Sequence, residues 1–194
     1  MLCWAAAAFV LLSGGPAIAH SAVSGVTGFS GGLLHPLLVS AHLLALAALG
    51  LLIGQQGPLW RISLIAIFAA SLLTGLAAIA SALAAQNSDL IILAAAAILG
   101  LLVAVARPVA LIGAVPIVFV LGVALELDSV PQEISTQATL LTLAGTTITA
   151  LSIPALLAVQ TAYLRRDWQR TGVRVVGSWI AASAILVLAL RLAK

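Results

Sequence analysis

Charge is the scarcest thing in this sequence. Of 194 residues, 8 are Lys or Arg and 5 are Asp or Glu, 7% in all, whereas a soluble domain carries roughly 25%. Such a chain has no means of coating itself for water, which excludes a soluble globular fold. Cysteine is nearly missing too. Its single copy, Cys3, lies at the extreme N-terminus, which excludes a disulfide framework and a thiolate metal cluster. The formal charge of +3 does not point to nucleic acid, because the basic residues are not gathered into a patch with interleaved aromatics. No nucleophile–base pair stands out, so an enzyme is not expected. Histidine is limited to His20, His35 and His42.

What is there is apolar: 63% of the residues, with a mean hydropathy of +1.28. The chain opens "MLCWAAAAFVLLSGGPAIAHS". Its apolar part, Leu2 to Leu12, would be about 16 Å long as a helix, too short for the hydrocarbon core of ~30 Å. Gly14, Gly15 and Pro16 break it, and Ala17 to Ala19 form a small-x-small cleavage site. Residues 1–19 therefore read as a signal peptide cleaved after Ala19. A retained N-terminal anchor is the alternative, since no Lys or Arg precedes the apolar run.

Six further apolar runs follow, approximately Gly31–Ile53, Ile62–Ala84, Leu90–Ala106, Val109–Leu125, Ala138–Leu164 and Val175–Leu190. Polar separators rich in Gly and Pro divide them, among them "GQQGPLWR", "AQNSD" and "RRDWQRTGVR". The alternating polarity of a barrel is missing, so helices are the only plausible element. The expected fold is all-α: one polytopic membrane bundle of six transmembrane helices, residues 20–194, behind the signal peptide. With the mature N-terminus outside a bacterial-type plasma membrane, Arg61, Arg107, Arg165, Arg166, Arg170 and Arg174 face the cytoplasm. Only Arg191 and Lys194 face out, the asymmetry that short loops require.

Two histidines sit in the first run, "GGLLHPLLVSAHLLALAALGLLIG". Seven helical steps return to within about 20° of the same face and climb about 10.5 Å. In one continuous helix His35 and His42 would share a stripe, too far apart to share an ion bound at ~2 Å. Each would be a station on a path, or a ligand completed by another helix, because intramembrane ionisable residues are usually functional. The structural alternative is an interfacial His35 and a His42 bonded to a neighbouring helix. Pro36 either loosens the backbone or sits in a first turn. Leu37, Leu44 and Leu51 fall opposite the stripe and should face lipid or a peripheral helix, and Ser40 lies about 140° from His35.

Other polar residues are few. Thr139, Thr142, Thr146 and Thr149 recur at helical spacing beside Gly145. Helix packing is their ordinary role; the sharper reading makes Thr142 and Thr146 a lining for the histidine path. Glu126, Asp128 and Glu133 form an acidic outer loop whose ordinary reading is a solvated loop; the sharper reading has it gather cations, with Asp128 near the mouth. "RRDWQRTGVR" reads as a cytoplasmic anchoring loop with an interfacial Trp168. His20, as the new N-terminus, could chelate a divalent ion through its amine and imidazole.

The stretch "GFSGGLLHPLLVSAHLLALAALGLL" resembles the first-helix signature of the HupE/UreJ family, approximately "HPLxGxDHLLAMLAVGL". His35, Pro36, Leu37, His42, Leu43, Leu44, Ala45, Ala48 and Gly50 fit. "GPLW" at Gly57 to Trp60, Gly75 in the next helix, and "LAG" at Leu143 to Gly145 extend the likeness over nearly the whole chain. The resemblance implies a signal peptide, six helices and a hydrogenase- or urease-accessory membrane protein regarded as a nickel permease.

Departures accompany the match. Ala41 stands at the family's aspartate and Val39 at its glycine. In "VLGVALELD", resembling "FHGxAHGxE", Leu121 and Leu125 occupy histidine places, Glu126 a glycine, and Asp128 the glutamate. Thr142 stands where another histidine is common. The resemblance thus implies a depleted ligand set of His35, His42 and Asp128, with His20 as a further candidate. The expected function is a divalent transition-metal permease, its substrate Ni2+ or Co2+ taken by imidazole, with no permanently bound cofactor. A membrane subunit that kept the fold without transport is the alternative. Haem ligation is disfavoured, because both intramembrane histidines lie in one run. Expected partners are the lipid bilayer, the metal ion, and another copy or a membrane complex.

Overall fold

The computed structural model describes residues 28–80, 87–106, 111–131 and 135–193. The signal peptide, His20, Glu133 and the Arg107–Pro108 turn lie outside them. The described residues hold seven helices and no strand: α1 Gly28–Leu38, α2 Ser40–Gln55, α3 Pro58–Ala80, α4 Ser88–Val105, α5 Leu111–Asp128, α6 Thr136–Ala162 and α7 Asp167–Leu192. The helices α3, α4, α6 and α7 are each long and apolar enough to cross a membrane; α1 and α2 qualify together as a bent pair. A helix is the form such runs must take, since it satisfies every backbone group within the segment.

The expected single helix over Gly31–Ile53 is broken. The axes of α1 and α2 meet at 73°, and Val39 at the junction is extended (φ −83°, ψ 108°). Pro36 sits in the last turn of α1, not the first, so its ring deprives the Gly32 carbonyl of its usual i+4 donor. Thr146 of α6 supplies the replacement, donating to Gly32 O at 3.2 Å. Thr142 and Thr149 donate likewise to Gly28 O (3.1 Å) and Leu33 O (3.0 Å). Three hydroxyls therefore tie α1 to α6, and glycine lets the backbones approach. A Cβ on Gly32 would run into the Thr142 carbonyl, and one on Gly145 into the Phe29 carbonyl. Small residues and hydroxyls are the usual cement where lipid gives no hydrophobic drive.

From this junction α2 runs down the middle of the bundle. It packs most extensively on α6 and α4 and touches every other helix. Its residues are buried on nearly all sides, so Leu51 lies in the core, Leu44 is half-buried, and only Leu37, on α1, is exposed. The pairs α3–α5 and α4–α7 complete the packing around it. A further difference concerns "RRDWQRTGVR": from Asp167 onward it is helix, not loop. The start is fixed when Gln169 Oε1 accepts from the Arg166 amide at 3.1 Å. Helical hydrogen bonding is indifferent to whether the first turns are polar, so α7 begins before its apolar run.

Candidate functional site

The bend at Val39 decides the geometry of the histidines. Instead of standing two turns apart on one stripe, the rings of His35 and His42 meet edge to face, with centroids 5.1 Å apart and planes at 77°. The expected separation of about 10.5 Å held only for a straight helix. His42 is fully buried.

Asp128 closes the cluster from α5. Its Oδ2 lies 2.9 Å from His42 Nε2, and its Oδ1 accepts from Ser88 Oγ at 2.8 Å. The acidic outer loop expected for Glu126 and Asp128 is therefore corrected. Helix α5 continues through both residues, and their carboxylates turn into the bundle, where donors await them. Asp128 retains 12% side-chain exposure and Glu126 none. Two steps along a helix turn about 200°, so the two leave α5 on opposite sides. Asp128 points toward α2 and α4. Glu126 packs beside Gly75 of α3 and accepts from Thr147 Oγ1 of α6 at 2.8 Å.

The His42–Asp128 bond sorts the ring nitrogens. In a neutral imidazole facing a carboxylate, the proton resides on the bonded nitrogen, here Nε2, leaving Nδ1 its lone pair. His42 Nδ1 is buried without a hydrogen-bond partner. The Ser88 hydroxyl bonds the carboxylate and not the imidazole. No three His, Cys, Asp or Glu side chains among the described residues form a group able to hold a metal ion. Thr142 and Thr146 have their hydroxyls directed at α1 carbonyls. Leu121 and Leu125 are core residues of α5.

A comparison with protein families covers the chain as a whole, these helices included. The HupE / UreJ protein family matches residues 8–187. The chain belongs to that family. Searches of curated proteins and of solved structures found no match. In this HupE/UreJ protein His35 and His42 are legible as ionisable residues in an apolar run, and the family motif adds Asp128. Nothing in the sequence sets Ser88 or Thr147 apart. A serine opening a helix reads as a cap, and Thr147 lies beside a more regular threonine stripe.

Proposed function

We propose that this HupE/UreJ protein passes a divalent transition metal, nickel first among the candidates, across a bacterial-type plasma membrane. The observation that carries the reading is the His35–His42–Asp128 cluster folded into one place by the bend. His42 offers Nδ1 to the ion, while Asp128 holds the ring through Nε2. This makes Asp128 an orienting partner, which raises the basicity of the imidazole. Imidazole suits nickel, and two imidazoles without further ligands favour brief occupancy over storage. The ion is substrate and not a resident cofactor. No reaction is catalysed in this reading, and Ser88 serves the carboxylate.

The proposed topology has six spans, with α1 and α2 together as the first, after a signal peptide cleaved at Ala19. The Asp128 end faces out and the arginine end faces the cytoplasm, as the charge asymmetry favours. Asn87 and Asp167, changed singly to cysteine, should label from outside and inside respectively. The same sidedness for both would break the topology.

The test of function is radiolabelled nickel uptake by cells with and without the protein. His42→Ala should abolish the uptake difference while membrane abundance stays near normal. If uptake is measurable and both His35→Ala and His42→Ala leave it intact, the metal reading fails. The buried Leu121 and Leu125, standing at the family's histidine positions, favour as second reading a non-transporting membrane subunit. Absence of any uptake difference would select it.

A further inference from the structure

The opposite end of the bundle holds a cavity of about 300 Å3 whose walls include Gln55, Arg61, Thr161, Arg170 and Arg174. Three guanidinium groups border it, and no carboxylate belongs to its described lining. None of the three arginines has a carboxylate within ion-pair distance among the described residues. Two are held from behind by main-chain carbonyls: Arg174 Nε donates to Ala104 O at 2.9 Å, and Arg170 Nε to Leu164 O at 3.5 Å. Those bonds aim the groups and leave their Nη donors for something else. Arg61 Nε is buried with no partner at all.

Three cationic forks around a pocket, without a counter-ion from the protein, match an oxyanion of phosphate type, which arginine recognises through paired N–H donors. A second observation locates that anion. Trp60, Tyr163 and Trp168, at this same end, are exposed, and such aromatics mark the headgroup level of a bilayer. Basic pockets between helix ends on the cytoplasmic side take anionic lipid headgroups.

We infer that the pocket bounded by Arg61, Arg170 and Arg174 is a binding site for the phosphate group of an anionic membrane lipid. This assignment is independent of metal passage at the other end.

The full-length protein in neutral detergent, titrated with phosphatidylglycerol or phosphatidylcholine and read by native mass spectrometry, tests it. Phosphatidylglycerol should bind more tightly than phosphatidylcholine. Arg61→Gln and Arg174→Gln should each weaken it about fivefold, the size of one lost basic contact near a membrane surface. Arg170→Gln, at an exposed side chain, gives the same reading if Arg61→Gln does not fold. Arg191→Gln removes equal charge at the other end and should leave affinity unchanged. Equal binding of the two lipids, or equal weakening by Arg191→Gln, overturns the site. Inorganic phosphate forms the last arm. Failure to displace the lipid at millimolar concentration supports the headgroup; displacement with matching affinity assigns the pocket to free phosphate and overturns the lipid.

Discussion

The two ends of this bundle use ionisable side chains in opposite ways. At the Asp128 end they meet other side chains: His42 and Ser88 bond Asp128, and Arg191 pairs with Asp89 at 3.7 Å. At the arginine end, side chains bond to backbone. Gln55 reaches Val103 O, Arg174 reaches Ala104 O and Arg170 reaches Leu164 O. Those carbonyls lie in the last turn of α4 or just beyond α6, where the helix leaves acceptors unsatisfied and its dipole is negative. The first arrangement fixes one ring nitrogen in one orientation, which suits a ligand of defined geometry. The second caps helices and leaves a rim of cations, which suits a diffuse anionic partner. A bundle nearly devoid of charge thus concentrates two different electrostatic tasks at its two faces.

The comparison breaks most severely if α1 cannot dock. Gly32→Val would drive a branched side chain into the Thr142 carbonyl, where even one Cβ has no room. Overpacking of this kind costs about 1–3 kcal/mol, and more where backbone cannot move. The three threonine bonds to α1 would go with it. The expected result is loss of uptake and a lower melting temperature, with the α4–α7 pair and the arginine cavity retained. Phosphatidylglycerol binding at wild-type strength beside abolished uptake would show that the two ends are separately built. If uptake survives in Gly32→Val, the docking of α1 does not shape the histidine cluster.

A smaller change sharpens the account of the first end. Asp128→Asn keeps the shape of the side chain but removes the charge that holds His42. Loss of a carboxylate behind a metal-binding histidine costs about 10–100-fold in metal affinity or activity. Uptake should fall by that factor at subsaturating nickel, with less effect when nickel is raised. A loss as complete as that of His42→Ala, irrespective of nickel concentration, would mean that Asp128 ligates the ion directly. No loss would remove it from the site.

How far such details were readable beforehand depended on what kind of information they needed. The membrane class and the approximate runs were legible because hydropathy is a local property with a physical length scale. So was the family, through "LLHPLLVSAHLL". The bend was not, although Pro36 advertised a weak point. A proline frees a carbonyl, but whether the helix then turns by 73° depends on what receives that carbonyl, and Thr146 lies 114 residues away from Gly32. The burial of Glu126 was hidden for the same reason. Its excuse is a hydroxyl on α6 and a glycine on α3, and neither is visible from "ELD". The start of α7 is invisible to hydropathy, which reports where a helix meets lipid, not where its hydrogen bonds begin.

The smallest effect expected lies at the second end, in the residue that terminates α4. Ala106 is its C-cap, at φ +54°, ψ 35°, with its amide bonded to Leu102 O. A left-handed conformation costs an L-residue roughly 1–2 kcal/mol, which glycine escapes. Against this, glycine loosens the unfolded chain, a penalty of about 0.4–1 kcal/mol. Ala106→Gly should therefore stabilise the protein by about 0.5–1 kcal/mol, read as a small rise in melting temperature in detergent. The substitution removes one methyl from the cavity wall and touches neither the Arg174–Ala104 bond nor any group near His42. Nickel uptake should stay unchanged, and so should the preference for phosphatidylglycerol. A fall in melting temperature would show that Ala106 does not hold the left-handed cap. A rise accompanied by altered uptake would tie the helix end to the distant histidines, and the separation of the two ends would fail.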